Sequence, residues 1–347
     1  MKVALFTLGG TIASTSTAGG VAPQLTGADL LASVPGLDQA GVTLQVHDFR
    51  QVPSSSLTTD DLLDLAGAIR KVVAAGADGV VVSQGTDTIE ETAFLADLLY
   101  DADPPVVFTG AMRNPTLAGA DGPANLLAAV TVAASPQARG LGCVVVFGDE
   151  IHAARFVQKA HTTSVTAFIS PPAGPLGVVA EGRAIVLTRP SRRPALPDPQ
   201  PAVAGPRPGR TVRTGLVTMV LGDDGTLLEA AAGRFDGLVV AGYGAGHVPA
   251  AVVSRLGELA RRIPVVLASR TGAGMVLART YAYPGSESDL RGRGLIGAGF
   301  LDPLKARLLL HVLLASGAGR DEIAASFAAT AADLGGADGT PTPADVG

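Results

Sequence analysis

Residues 79–88 read GVVVSQGTDT, an apolar run that leads directly into a glycine-containing turn. An earlier stretch, VALFTLGGTIA at residues 3–13, has the same form. Short continuous apolar runs of this kind are typical of strands buried on both faces. Each turn then presents a threonine at the carboxyl end of a strand, where open α/β sheets bind ligands. The two turns therefore predict a site with nucleophilic chemistry at one sheet edge.

Similar apolar runs alternate with longer helical patterns along the chain, which predicts a mostly parallel sheet with helices on both faces. In the first half we expect strands at 2–7, 44–48, 79–83, 105–109 and 142–147, helices at 58–75, 88–101 and 122–135, and a terminal hairpin at 178–180 and 184–188. In the second half we expect strands at 213–220, 237–241, 264–268 and 294–298, and helices at 249–262, 303–315 and 320–334. The predicted fold class is α/β, with a large N-terminal, mostly parallel sheet with flanking helices plus a smaller C-terminal α/β domain.

The stretch from Pro190 to Pro208 is rich in proline and has almost no periodicity. Such a composition is typical of an extended linker. The predicted organisation is an N-terminal catalytic α/β domain over 1–189, a Pro-rich linker over 190–212, a smaller C-terminal α/β domain over 213–334 and a disordered tail over 335–347.

The composition argues against several functional classes. A net charge of −5 gives no basic footprint for nucleic acid or for an anionic membrane surface. The one cysteine, Cys143, excludes an internal disulfide framework and a thiolate metal cluster, and the five histidines have no metal-ligand spacing. No uncharged run approaches the ~20 residues that a membrane span needs, and no signal-peptide pattern is present. We expect a cytoplasmic protein with a small-molecule substrate, no metal, and no nucleic-acid or membrane partner.

Thr86 and Asp87 directly precede the predicted helix 88–101. They fit an ordinary N-cap. They equally fit a site in which backbone N–H groups at the helix start stabilise an oxyanion while Asp87 binds a substrate ammonium. Lys159 follows the predicted strand 142–147, in a chain where 22 of 26 basic residues are arginine. A lysine amine can act as a general base toward a hydroxyl and an arginine cannot, so this bias favours a chemical role for Lys159 over a surface position.

Two further turns also follow predicted strands. Residues 51–58, QVPSSSLT, precede helix 58–75, so their serines either cap the helix or bind a carboxylate. Residues 109–113, TGAMR, contain a glycine that allows close backbone approach to a ligand. Independent caps would not be expected to bring two threonines, an aspartate and a lysine to one sheet edge, which favours a common site.

In these motifs the chain resembles the bacterial-type L-asparaginase family. The resembling segments are GGTIA (9–13), GTDTIEETA (85–93), TGAMR (109–113), ADGPANL (120–126), Lys159 with HTTSVTAF (161–168), and DPLKAR (302–307). The resemblance implies hydrolysis of L-asparagine to L-aspartate and ammonia, often with some activity on L-glutamine, and no cofactor. It also implies a homo-oligomer, a dimer or tetramer, with sites between subunits.

The resemblance also implies roles for single residues. Thr11 would be the nucleophile, and a hydroxyl–amine–carboxylate set would assist proton transfer. The implied catalytic residues are Thr11, Thr86, Asp87 and Lys159. The implied substrate-binding residues are Ser54, Ser55, Thr86, Asp87 and Ala111. Of these, Ser54 would meet the α-carboxylate, Asp87 the ammonium, and the Ala111 carbonyl the leaving amide.

The chain departs from the family pattern in several places. Val21 stands where the family usually has a loop tyrosine, and Gln84 stands in place of a histidine. Residues 243–247 contain no asparagine, and Tyr281 or Tyr283 falls near the position of a glutamate that a partner subunit supplies. These departures keep two alternatives open: a non-catalytic amino-acid-binding protein on the same scaffold, and an amidase or glutaminase for another amide.

Overall fold

The computed structural model describes residues 1–10, 12, 14–17, 20–23, 26–32, 34–37, 41–197 and 211–332. The chain divides into two compact units, unit 1 up to Asp198 and unit 2 from Pro199. The predicted tail at 335–347 and most of the predicted linker lie outside the described residues.

Unit 1 carries a large sheet and four helices among its described residues. Its strands are β1 (Lys2–Thr7), β2 (Ser14–Thr17), β3 (Gly20–Pro23), β4 (Thr43–Asp48), β5 (Gly79–Ser83), β6 (Val106–Thr109), β7 (Cys143–Phe147), β8 (Glu150–Ala153), β9 (Gln158–Lys159), β10 (Phe168–Ile169), β11 (Gly177–Ala180) and β12 (Arg183–Val186). Its helices are α1 (Gly27–Ala32), α2 (Thr59–Ala74), α3 (Ile89–Leu98) and α4 (Gly122–Ala133), and short 3₁₀ turns lie at Ser54–Ser56, Thr86–Thr88 and Pro136–Ala138.

The main sheet of unit 1 is mostly parallel. In the described part of the unit its strand order is β12-β11-β8-β7-β6-β5-β1-β4. Strands β4, β1, β5, β6 and β7 run parallel, whereas β8, β11 and β12 continue the sheet antiparallel. The carboxyl ends of β1, β5 and β6 therefore lie side by side, so the threonine turns after β1 and β5 lie at one sheet edge.

Helices cover both faces of this sheet because successive side chains of a strand point to opposite sides. Val3 and Leu5 of β1 pack in a core with residues of α1 and α4. Ala4 and Phe6 of the same strand pack in a second core with residues of α2 and α3. Because both faces of the sheet are covered, the buried strands are continuously apolar and have little alternation of polar and apolar residues.

Unit 2 is a smaller α/β unit. Its strands are β13 (Thr214–Thr218), β14 (Gly237–Gly242), β15 (Val265–Ser269) and β16 (Ile296–Gly297). Its helices are α5 (Thr226–Ala231), α6 (Val253–Arg262), α7 (Glu287–Gly292), α8 (Pro303–Ala315) and α9 (Arg320–Ala332), with a 3₁₀ turn at Ala250–Val252. The four strands form a parallel sheet in the order β13-β14-β15-β16. The predicted fold class is thus confirmed.

The segment before the unit boundary is extended and attached to unit 1. Arg192 donates from its guanidinium to the carbonyl oxygen of Ala102 at 3.0 Å and also to that of Tyr100. The Leu196 amide donates to the carbonyl oxygen of Leu98 at 2.7 Å. These bonds hold residues 192–196 along the carboxyl end of α3. Among the described residues, no helix is both long and apolar enough to cross a membrane.

Candidate active site

Glycines bring the turns after β1 and β5 into direct backbone contact. Gly10 has a φ of +88°, and a Cβ atom there would lie 2.1 Å from the amide nitrogen of Gly85. A Cβ on Gly110 would lie 2.5 Å from the carbonyl oxygen of Gln84. Only glycine allows such approaches without moving backbone. Three turns that are far apart in sequence therefore pack into one sheet edge.

The serine turn joins the same edge. A Cβ on Gly85 would lie 2.7 Å from Ser54 Oγ, and the Val52 amide donates to the carbonyl oxygen of Leu8 at 3.1 Å. Ser54 is buried against this contact, whereas Ser55 is exposed in the 3₁₀ turn that precedes α2. The two serines thus face different environments.

Lys159 connects the hydroxyl and the carboxylate of the second turn. Its Nζ donates to Thr86 Oγ1 at 2.9 Å and to Asp87 Oδ1 at 2.6 Å. The Lys159 side chain is 15% exposed, and that of Asp87 is 69% exposed. Thr86 is buried. The amine is therefore largely shielded from water where it meets the hydroxyl, while one side of the carboxylate remains open to a ligand.

A short hairpin and a helix hold Lys159 in place. Lys159 pairs with Phe168 across the short β9–β10 hairpin, and the Phe168 ring packs on Phe147 at a centroid distance of 4.8 Å. The backbone amide of Lys159 donates to Glu90 Oε2 at 2.9 Å. Glu90 lies in the first turn of α3, directly after Thr86–Thr88. The helix that follows the threonine turn thus also fixes the lysine, a role that the sequence did not reveal for Glu90.

The turn after β6 has its own scaffold. The Asp121 carboxylate accepts from the backbone amides of Met112 at 3.0 Å and Arg113 at 2.8 Å. The Asn125 Nδ2 donates to the carbonyl oxygen of Gly110 at 3.0 Å. Ala111 lies buried between these anchors. Asp121 and Asn125 belong to the ADGPANL segment, for which the sequence indicated a resemblance but no role.

The predicted nucleophile, Thr11, lies outside the described residues, and so do the side chains of the β2–β3 hairpin, including Val21. Its neighbour Gly10 touches Gly85, as stated above, and Ile12 is buried. The structure therefore brings Thr86, Asp87 and Lys159 together and gives no position for Thr11.

The geometry suits proton transfer to and from a hydroxyl. An amine at hydrogen-bond distance from a buried hydroxyl can take up or return its proton, and the adjacent carboxylate stabilises the ammonium form. The turn also opens α3, whose first N–H groups have no partner within the helix and favour negative charge. Cys143 is not a competing nucleophile because it is buried on β7, where burial raises the pKa of its thiol.

In unit 2, Tyr281 and Tyr283 surround His247. The Tyr283 hydroxyl lies 2.9 Å from His247 Nδ1, and His247 Nε2 lies 3.1 Å from Glu287 Oε2. Glu287 Oε1 accepts from the backbone amides of Thr280 and Tyr281, each at 2.8 Å. Burial raises the pKa of the Glu287 carboxyl, but these hydrogen bonds outweigh it and hold the pKa below its ordinary value. Glu287 is a fully buried acid that no sequence pattern singled out.

No group of three or more His, Cys, Asp or Glu side chains in the described part of the chain is arranged to hold a metal ion.

Comparison with known proteins matches this chain to one family. Residues 2–192 match the family model "Asparaginase, N-terminal", and residues 213–327 match "Glutaminase/Asparaginase C-terminal domain". A probable L-asparaginase of Deinococcus radiodurans is 40% identical over 328 residues, which cover 94% of this chain and 97% of that protein. A glutaminase-asparaginase of Pseudomonas fluorescens biotype A is 32% identical over 320 residues, which cover 90% of this chain and 86% of that protein. The crystal structure of a probable cytoplasmic L-asparaginase from Campylobacter jejuni superposes with a TM-score of 0.81 at 32% identity, covering 94% of this chain and 99% of that one.

Proposed function

Because this chain belongs to the asparaginase family, we propose that it hydrolyses the side-chain amide of L-asparagine to give L-aspartate and ammonia. The resemblance seen in the sequence is confirmed, and the protein is an amidohydrolase. The observation that carries the proposal is the contact of Lys159 Nζ with both Thr86 Oγ1 and Asp87 Oδ1 at the sheet edge.

In the proposed reaction, the hydroxyl oxygen of Thr11 attacks the amide carbon of the substrate. The hydroxyl proton passes by way of the Thr86–Lys159–Asp87 set to the leaving nitrogen, and the C–N bond breaks to release ammonia. Water then attacks the threonine ester, and the same set returns a proton to Thr11 Oγ1. The products are L-aspartate and the free enzyme.

Substrate recognition in this proposal uses two turns. Asp87, whose carboxylate is open on one side, binds the α-ammonium, and Ser54, with Ser55 beside it, binds the α-carboxylate. The carbonyl oxygen of Ala111 accepts from the leaving amide. Backbone N–H groups of Thr11 and Thr86 stabilise the oxyanion, where losing one donor typically costs ~10²–10³ in rate.

The test is ammonia release from L-asparagine by the purified protein and by Thr11→Ala and Thr86→Val. We expect the protein to release ammonia and both variants to lose activity by at least about 10²-fold. Thr131→Val is the matched control, because Thr131 Oγ1 donates only to the carbonyl oxygen of Leu127 within α4. Full turnover by both site variants would overturn the mechanism.

L-Glutamine is the second candidate substrate. The Pseudomonas fluorescens relative is named for both amides. One additional methylene in a pocket is worth only ~1–3 kcal/mol, so selectivity depends on details of the pocket wall. The kcat/KM ratio for L-asparagine, L-glutamine and a panel of other small amides measures the preference. Family membership favours these catalytic alternatives over a non-catalytic amino-acid-binding protein, which would bind L-asparagine without releasing ammonia.

We further propose that the protein is a cytoplasmic homo-oligomer, a dimer or tetramer. The location is supported by the similarity to the probable cytoplasmic L-asparaginase of Campylobacter jejuni. The domain boundaries at 189–190 and 212–213 remain part of this proposal.

A further inference from the structure

Gln84 directly precedes the turn that carries Thr86 and Asp87, and its side chain donates hydrogen bonds to atoms of that turn. It is the residue before Gly85, and its side chain is fully buried. Its amide Nε2 donates to the carbonyl oxygen of Gly85 at 3.2 Å and to Thr88 Oγ1 at 3.4 Å. The Gln84 side chain thus ties the start of this turn, at Gly85, to its end, at Thr88.

Thr88 continues this line of hydrogen bonds to the serine turn. Its Oγ1 donates to the carbonyl oxygen of Ser54 at 3.2 Å. Gly85 and Ser54 are also in direct contact, because a Cβ atom on Gly85 would lie only 2.7 Å from Ser54 Oγ. The chain Gln84 → Thr88 → Ser54 thus joins the turn that carries Asp87 to the turn that carries Ser54.

The glutamine side chain is poorly suited to a purely stabilising role. In the part of the chain that the structure describes, Gln84 Oε1 is buried without a hydrogen-bond partner. A buried acceptor left unpaired lowers the free energy of unfolding, whereas an apolar side chain of similar size would not. What the amide contributes is the pair of donated hydrogen bonds, and both act on the geometry of the turns.

We propose that Gln84 and Thr88 are positioning residues that set the distance between the α-ammonium site at Asp87 and the α-carboxylate site at Ser54. The inference rests on the proposed function, which supplies those two sites. A ligand with both groups uses both turns at once, so it gains when their spacing is fixed before binding. A ligand with only one of the groups does not use the spacing. Gln84 and Thr88 therefore favour α-amino acids over otherwise similar amides and acids.

The test uses Thr88→Val, which removes the hydrogen bond donated to Ser54, and Gln84→Met, which removes both bonds donated by the amide; each keeps the approximate size of the side chain. We expect the KM for L-asparagine to rise about five- to tenfold, the effect of roughly one net hydrogen bond, with kcat changed less than about twofold. Thr88→Ser keeps the hydroxyl and retains the KM of the unmodified protein. Thr131→Val serves as the remote control, and melting temperatures verify that each variant is folded.

Ligand selectivity distinguishes a positioning role from a merely structural one, because a general structural defect would not affect one ligand more than the others. Titration calorimetry compares L-aspartate with succinate, which lacks the ammonium, and with β-alanine, which lacks the α-carboxylate. In the two variants the Kd for L-aspartate should rise about five- to tenfold, and the Kd for each of the two truncated acids less than about twofold. An equal loss for all three ligands, an unchanged KM in both variants, or a Thr88→Ser variant as impaired as Thr88→Val would overturn the inference.

This design separates the inference from the proposed function. If the unmodified protein releases no ammonia from L-asparagine, the proposed function fails, and the calorimetric comparison still decides whether Gln84 and Thr88 set the spacing. If ammonia is released and the variants bind all three acids as the unmodified protein does, the function stands and the inference fails.

Discussion

At the scale of single residues, Lys159 is the sharpest test of the site because this chain generally uses arginine where it needs a cation. Lys159→Arg keeps the charge and nearly the reach, but the guanidinium does not give up its proton in proteins. We expect kcat to fall by about 10²–10⁴-fold, the usual contribution of general acid–base catalysis. Ammonia release at saturating L-asparagine measures it.

Lys71→Arg is the matched control, because Lys71 is exposed in the last turn of α2. It should retain full activity and stability. A Lys159→Arg variant with more than about a tenth of the normal kcat would show that only the positive charge matters at this position.

At the scale of elements, β8 and the hairpin that carries Lys159 are joined through a buried histidine. His152 Nδ1 lies 2.9 Å from the hydroxyl oxygen of Ser170, which directly follows β10. Glu150 Oε2 lies 3.3 Å from His152 Nε2, but that nitrogen has no hydrogen bond of acceptable geometry among the described residues. Burial lowers the pKa of His152 from 6.5 to about 4, so the imidazole is neutral in the folded protein at neutral pH.

The lowered pKa of His152 gives a definite sign to the pH dependence of stability. Between pH 6.5 and 4 the unfolded chain binds a proton that the folded chain does not, so the free energy of unfolding decreases as the pH falls through this window. The His152 contribution to that decrease is about 3 kcal/mol over the whole window. Above pH 6.5 the stability contribution is fully retained. We therefore expect His152→Gln to have a smaller difference between its urea midpoints at pH 7 and pH 5 than the unmodified protein.

Thr131→Val provides the comparison for this measurement, because the Thr131 hydroxyl, which donates to the carbonyl oxygen of Leu127 within α4, does not titrate. Its midpoints should keep the pH dependence of the unmodified protein. An equal pH dependence in the His152 variant and the unmodified protein would mean that His152 is not the group whose protonation opposes folding.

The elements that could be predicted from sequence are those with a long or continuous pattern. The apolar runs predict β1 and β5 correctly, and the Asp302–Pro303 start predicts α8 (Pro303–Ala315) to the residue. Strand β8 has no such pattern, since it contains a buried histidine and follows a two-residue turn with positive φ at Gly148 and Asp149. Two-residue strands such as β9 and six-residue helices such as α7 are too short to show a period.

Some residues of the candidate site could likewise be predicted from the sequence, and others could not. Glycine-flanked threonines and an unusual lysine can be found in the sequence because residue type alone restricts what they do. Glu90 and Asp121 could not be assigned, because their role is to accept hydrogen bonds from backbone amides outside their own turns. Such a partner is defined only by the folded chain.

At the scale of the whole molecule, ligand binding should appear as added stability, because a ligand that binds only the folded state stabilises it. L-Aspartate, the proposed product, carries both the ammonium and the α-carboxylate. At 100 times its Kd it should add about 2.7 kcal/mol to the free energy of unfolding and raise the Tm by a few degrees. Differential scanning fluorimetry with increasing L-aspartate measures this shift.

The shift should depend on Asp87 and not on Thr11, because binding uses the ammonium site and does not require the nucleophile. Thr11→Ala should therefore keep the shift while losing turnover, and Asp87→Asn should lose most of it, since an amide no longer offers a charge to the ammonium. Asp60→Asn on the exposed start of α2 is the matched control and should respond as the unmodified protein does. A full shift in Asp87→Asn would place the ammonium site elsewhere, and the roles assigned to the second threonine turn would then be limited to proton transfer.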